Sequence, residues 1–512
     1  MDGQVVKHIV ILGGGTAGWM TAAALSHHYR NTAIRFTLVE SLAIGTIGVG
    51  EATIPTLRRF YQALGMTDYD VISATNASCK LGIRFNGWKC EGARFIHPFG
   101  AFGDDFGGVG FHHFWNHYRH SLELGDLDDY AMGAAIAKAG KFALPAPTAE
   151  PYTQFDWALH FDAGLFAVQM RDFALKTGAK ARGVTHIDAV LKDVKLRSED
   201  GFIESLELDN GQSLKGDLFI DCSGFQSLLI GKALGVGFED YGKWLFCDSA
   251  VAQQSERVAA PNSFTDVTAR PAGWQWHIPL QHRSGNGHVY SSAHMSDDDA
   301  VKALGDTLPG AAVTEPRIIR FRPGRREKAW EKNCIAIGLS SGFLEPLEST
   351  SIALIQTGIE RIQLLLPVDG FDPKAIDEHN DMARREMERT RDFIILHYKL
   401  NQRKDDPFWQ EAAAMEVPDT LQRKMDLYTS RGHFVRYRWE MFHPASWLAI
   451  YAGFGVWPRS VDPAVTQLSG AEARSRIMHI RQEIDAVVKG APPHKAFLDH
   501  CNRLAEGRRV PA

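Results

Sequence analysis

The chain has 512 residues, enough for a large core and two or three packed units, and its composition is that of an ordinary soluble protein. A net charge of −5 leaves no broad basic field to hold nucleic acid, and no apolar run reaches the length of a membrane span. Cys79, Cys90, Cys222, Cys247, Cys334 and Cys501 are scattered without a CxxC pair, which suits reduced thiols in a cytoplasm and no zinc site.

The N-terminus runs almost directly into His8-Ile9-Val10-Ile11-Leu12, a short apolar stretch that reads as a buried parallel strand and leaves no room for a signal peptide. Gly13-x-Gly15-x-x-Gly18 follows at once, and Thr16 and Ala17 open a helix that runs to Leu25. Strand, glycine turn and helix in this order form a dinucleotide fingerprint. Gly13 allows the tight turn, Gly15 admits a pyrophosphate, and Gly18 lets the helix pack closely. The free N–H groups of the helix start face the phosphates. A second strand, 35–39, ends in Glu40, near the offset where a carboxylate takes ribose hydroxyls. The motif alone does not choose between NAD and FAD.

Residues 44–55 form a glycine-rich loop suited to lie against a flat ligand, and a short helix is expected over 56–64. Another glycine-rich loop spans 100–110. His113, His117 and His120 fall at helical spacing beyond it, but no acid or cysteine completes a set, so no metal is expected. Residues 183–221 alternate like antiparallel strands, with hairpin signals at Asp200-Gly201 and Asn210-Gly211. They end in an apolar strand that closes on Asp221-x-x-Gly224. Residues 333–342 make another buried strand running into glycines. Three returns to one nucleotide fit FAD better than NAD.

Gly273-Trp274-Gln275-Trp276-His277-Ile278-Pro279 places Trp274, Trp276 and Ile278 on one face if it is extended. On residue type alone, two such indoles form a core wall. From about Asp372 the chain turns to charged amphipathic helix, over 374–400 and 419–428. The expected organisation is an α/β (α+β) Rossmann-type, flavin monooxygenase-like core with an antiparallel sheet over 1–370. A mainly helical C-terminal lobe over 371–512 completes the substrate pocket.

Trp-x-Trp-x-Ile-Pro, joined to the N-terminal Gly-x-Gly-x-x-Gly, resembles the flavin-dependent halogenases of the tryptophan halogenase family. Phe343-Leu344-Glu345-Pro346-Leu347-Glu348-Ser349-Thr350-Ser351-Ile352 resembles the family's F-x-x-P-x-x-S-x-G block. Residues 76–88 resemble the segment with the catalytic lysine, which falls on Lys80, and His97-Pro98-Phe99-Gly100 resembles a substrate-stacking segment. The similarity runs from the first strand to at least Pro458.

The resemblance implies FADH2- and O2-dependent chlorination or bromination of an electron-rich aromatic. A flavin hydroperoxide would oxidise halide to hypohalous acid, which travels to Lys80. Lys80 carries three donors on a flexible stem and could bind that acid or become a haloamine. Glu348 is the matching carboxylate, to orient the oxidant or take the ring proton. The resemblance puts halide on the amides of Thr350 and Ser351. Ser351 replaces the usual Gly, at a cost of about 1 kcal/mol if φ is positive there. It also puts Leu339 and Ile352 on the flavin, Ile47 and Val49 on a strap over it, and Val190 toward the adenine. His97, Phe99 and Trp447 would sandwich an indole.

The family's Tyr-Tyr pair and Glu that hold an amino-acid end fall by count near Val435-Arg436 and Phe442, which supply neither hydroxyl nor carboxylate. A shift of a few residues could bring Tyr437 or Glu440 into those roles. The expectation is an indole without a free amino-acid group ahead of tryptophan. Without a second dinucleotide motif, a separate NAD(P)H-dependent flavin reductase should supply FADH2. A homodimer is compatible with the family. The alternatives are a single-component aromatic flavin hydroxylase, a halogenase of phenols or pyrroles, and a non-catalytic flavoprotein.

Overall fold

A computed structural model describes residues 6–43, 50–145, 154–180, 183–257, 259–367 and 369–509. The first strand forms over His8–Leu12 inside a six-stranded sheet. The order is Trp330–Glu331, Cys334–Ala336, Leu218–Asp221, His8–Leu12, Arg35–Glu40, Val184–Asp188. All neighbours pair parallel except the antiparallel Trp330–Glu331 edge. Successive side chains of a strand point to opposite faces. Ile9 and Ile11 therefore enter the large core, while Val10 and Leu12 enter a smaller one under Phe219 and Leu206. A strand buried on both faces has to be apolar, as Ile9 to Leu12 are.

The expectation of an antiparallel run over 183–221 is corrected at both ends, since Leu218–Asp221 pairs parallel with His8–Leu12. Val184–Asp188 pairs parallel with Arg35–Glu40 and extends the main sheet. Only Leu191–Leu196, Ile203–Leu208 and Ser213–Lys215 form the antiparallel meander. Alternating polarity marks a half-exposed strand of either kind, so it could not separate the two. The expected turns are present, with Gly201 and Gly211 at φ of 68° and 83°.

A second sheet has seven strands, in the order Arg317–Arg320, Ser249–Glu256, Arg283–Tyr290, Gly273–Pro279, Thr265–Arg270, Gly82–Asn86, Arg94–Pro98. The tryptophan motif is its central strand. Opposite Trp276 stands Gly287, where a Cβ would lie 2.0 Å from the indole. That glycine gives the ring its seat. A small sheet of Gly50–Ala52, Ala158–Asp162 and Ser78–Lys80 carries Lys80 at its end.

The long C-terminal helix spans Pro373–Lys399, capped by the Asp372 side chain on the Lys374 N–H and with proline in its first turn. Its last turns, Phe393 to Tyr398, are buried throughout and reach the core. Asp419–Arg431 follows and stops at Gly432, φ 71°. The large core includes residues from Val6 to Cys501, so both parts of the chain feed it. Among the described residues, no helix is long and apolar enough to cross a membrane.

Candidate active site

The end of the main sheet opens into a cavity of about 820 Å³. Gly13, Gly15, Thr16, Ala17 and Glu40 line one end, and Val190, Leu339, Ile352, Trp276 and Ile278 also face it. Gly13 has φ +114°, and a Cβ there would lie 2.2 Å from the Cys222 carbonyl oxygen. At Gly15 a Cβ would meet nothing within 4 Å, so the turn is open where a phosphate would approach. Gly18 lies beneath the turn, where a Cβ would sit 1.8 Å from the Gly13 oxygen. Thr16–His28 starts with no side-chain cap and no acid in its first turn, which leaves its N–H groups free for an anion. Glu40 lies 3.0 Å from the His186 imidazole, and burial raises its carboxyl above the usual range. The donors, the carboxylate and the volume fit a dinucleotide. Ile47 and Val49 lie outside the described residues.

Trp274 is fully buried and does not line the cavity; its ring packs 6.1 Å from Trp276 and 6.2 Å from Trp88. The Pro279 carbonyl accepts the Ser78 hydroxyl at 2.5 Å, so the motif strand also holds the strand that carries Lys80.

Lys80 is fully buried. Its Nζ donates to the Thr53 carbonyl at 2.9 Å and to Ser349 Oγ at 2.8 Å, and lies 5.2 Å from the Phe99 ring centre. Burial pulls its ammonium down to about 7, against the opposing pull of Glu348. Lys80 does not line the flavin-sized cavity, but Ser349 does, so this hydroxyl is shared by both places.

Glu348, also buried, is held from two sides. His97 Nδ1 donates to Oε2 at 2.9 Å and His397 Nε2 to Oε1 at 2.8 Å. Burial would raise this carboxyl, but the two imidazoles, His97 foremost, outweigh it and hold the group at about 2. His397 Nδ1 faces the Phe393 carbonyl at 2.8 Å. A carbonyl only accepts, so Nδ1 carries hydrogen, and the contact with Glu348 holds a further proton.

The helix Ser351–Leu365 begins at Thr350, which makes no side-chain cap, and Thr350 Oγ1 is buried without a partner. Free amide donors and an orphan hydroxyl at one helix start can take an anion. The positive φ considered for Ser351 falls instead on Ser349, at 60°. Ser351 is an ordinary first helical residue.

His97, Phe99 and Trp447 lie in one aromatic cluster, but Trp447 does not meet the other two directly. Phe393 and Phe442 stack at 4.0 Å between them, with Trp447 5.0 Å from Phe393 and His97 6.3 Å from Phe442. The Lys424 ammonium lies 4.3 Å from the Trp447 ring centre. His113, of the histidine trio, accepts the Asp462 N–H through Nδ1. Sequence reasoning placed Ser349 in its motif block but not beside Lys80, and missed His397 and Lys424. The latter two sit on amphipathic helices, where a polar residue reads as surface.

The family model for tryptophan halogenase matches residues 8–470. Among solved structures, the flavin-dependent halogenase BrvH from Brevundimonas sp. BAL3 is 56% identical, with a TM-score of 0.93 over 97% of this chain and 99% of that one. Xcc4156, a flavin-dependent halogenase from Xanthomonas campestris, is 44% identical, with a TM-score of 0.93 over 97% of this chain and 98% of that one. The 7-chloro-L-tryptophan 6-halogenase KtzR of Kutzneria sp. (strain 744) is 34% identical over 96% of this chain and 98% of its own length.

Proposed function

The chain belongs to the tryptophan halogenase family and is a flavin-dependent halogenase; from this we propose that it chlorinates or brominates an indole ring at Lys80 and Glu348. The observation that carries the assignment of the site is a buried lysine and a buried carboxylate standing behind the flavin cavity, with Ser349 between.

FAD, once bound and reduced, supplies the chemistry that turns O2 and halide into hypohalous acid. Gly13, Gly15, Thr16 and Ala17 would hold its pyrophosphate and Glu40 a ribose. Leu339, Ile352, Trp276 and Ile278 would shape the flavin's surroundings, with Val190 toward the adenine. The uncapped amides at Thr350 and Ser351 would hold chloride or bromide. Lys80 would hold the oxidant beside Phe99, in a buried site whose low dielectric strengthens the hold of its donors. The ring then attacks the halogen, the halogen–oxygen bond breaks with its electron pair going to oxygen, that oxygen takes a proton from the Lys80 ammonium and leaves as water, and the ring is left a strongly acidic arenium cation. Glu348 stabilises that charge and accepts the ring proton; even a carboxylate held near 2 is base enough for so strong an acid. The segment over 371–512 completes the site through His397, Lys424 and Trp447, while 1–370 supplies the flavin-binding core. Five of the six cysteines are buried and all are free, which supports a cytoplasmic enzyme.

The amino-acid end of tryptophan finds poor support. Phe442 is stacked on Phe393, and Glu440 is paired with Lys424. We therefore place indoles lacking the amino-acid group ahead of free tryptophan. The test is a mass-spectrometric screen of indoles, phenols and pyrroles with chloride and bromide, FAD, a flavin reductase and NADH. Halogenated indole is expected, and none when the reductase is left out. A kcat/KM for tryptophan equal to or above that for indole would refute the substrate assignment. Flavin reduction by NADPH in the isolated protein would refute the need for a reductase.

A further inference from the structure

We propose that Lys424 stands in for a substrate ammonium and is the residue that selects neutral indoles over indoles bearing a charged amine. The inference rests on the reading of Trp447 as a wall of the indole pocket. Lys424 projects from the helix Asp419–Arg431 and is only 4% exposed. Its Nζ lies 2.6 Å from Glu440 Oε1, donates to the Val435 carbonyl, and sits 4.3 Å from the Trp447 ring centre and 4.9 Å from that of Tyr437. One carboxylate, one carbonyl and two ring faces are the set that would recognise a primary ammonium. Here a side chain of the protein already fills that set.

The consequence for a ligand follows from charge. An amine entering beside Trp447 would have to share Glu440 with Lys424, two like charges in a buried site. Arg389, whose guanidinium stacks 4.6 Å from the Tyr437 ring, adds a second positive group, and Asp392 is the other acid that acts on Lys424. Asp392 is tied up by Arg391 and Thr420, so it offers an incoming amine nothing. An uncharged 3-substituent meets no such conflict.

The test uses two ligands of one skeleton, indole-3-ethanol and tryptamine, which differ in a hydroxyl against an ammonium. Titration calorimetry on the FAD-loaded protein and kcat/KM with the reductase are both read. Wild type should favour the alcohol by about tenfold or more, in keeping with one buried like-charge conflict. Lys424→Gln removes the charge while leaving N–H donors for Val435 and Glu440, and should narrow that ratio by about tenfold in both readouts. Lys424→Arg should keep the wild-type ratio. In Lys424→Gln/Glu440→Gln the gain in tryptamine should vanish, because the freed carboxylate is what received it. A folded Lys424→Gln protein with full FAD content and an unchanged ratio overturns the inference. So does wild-type protein that binds tryptamine as tightly as the alcohol, a result available even if the variants do not fold. Failure of the indole assignment itself looks different: neither ligand is then halogenated by wild type.

Discussion

At the scale of single residues, Glu348 and the two imidazoles on it are the unit proposed to handle the ring proton. Glu348→Gln keeps the shape and removes the base, and a loss of about 10²-fold in halogenation is expected. An unchanged rate would leave Glu348 a structural residue at a helix start. His397 acts through Glu348, so its replacement should have a distinct sign in pH. With His397→Leu the carboxyl loses one hydrogen bond and one positive neighbour while remaining buried, so its pKa rises from about 2. Glu348 then takes up its proton at higher pH, and activity should fall on the acid side before wild type does. The pH–rate profile under saturating halide reads this; an acid limb that stays in place excludes the role. Glu348 was legible in the sequence because it stands in a block of fixed spacing with Ser349 and Thr350. His397 was not, since nothing in Phe393-Ile394-Ile395-Leu396-His397 separates a core histidine from one aimed at a carboxylate 49 positions away.

At the scale of elements, the start of the helix Ser351–Leu365 brings together Lys80, an unpartnered hydroxyl and the cavity wall. Ser349, in a left-handed conformation at φ 60°, turns its hydroxyl to Lys80. Thr350 leaves its hydroxyl unpartnered, and Ile352 faces the flavin cavity. Thr350→Val keeps the shape and removes the hydroxyl. If the halide rests here, its KM should rise on the order of tenfold, the worth of one hydrogen bond to an ion, with FAD binding unaltered. A chloride titration at fixed indole decides, and an unmoved KM would take the halide elsewhere. The strands and helices themselves were mostly readable, because the apolar run of residues 8–12 matches a strand buried on both faces and the 3.6-residue pattern of 374–400 matches its burial. The Val184–Asp188 strand was misread because an edge strand with one polar side looks alike in parallel and antiparallel pairs. The place of Lys424 was unreadable for a different reason: its partners Glu440 and Trp447 come from separate segments after Gly432.

At the scale of the whole molecule, the 1–370 part and the C-terminal helices are joined by buried polar contacts as well as by shared core. Tyr398, on Pro373–Lys399, donates to Glu345 Oε1 at 2.6 Å. Burial raises the Glu345 carboxyl from 4.5 to about 7. Between those two values the folded protein holds a proton that the unfolded chain has released, so this group's contribution to stability declines as pH rises through the window. Glu345→Gln is neutral at every pH and lacks that decline. The Tm of the variant relative to wild type should therefore climb from about pH 5 to about pH 8; a constant difference would show that Glu345 is ionised in the fold. In the proposed mechanism one chain holds two stations, a flavin cavity where halide is oxidised and a buried lysine site where the oxidant meets an arene, joined at Ser349. The most direct measurement compares Lys80→Ala with wild type for FAD affinity, for reoxidation of added FADH2, and for halogenated indole by mass spectrometry. The account predicts that FAD binding and reoxidation stay nearly intact while halogenated product disappears; a variant retaining a tenth or more of wild-type halogenation would contradict it.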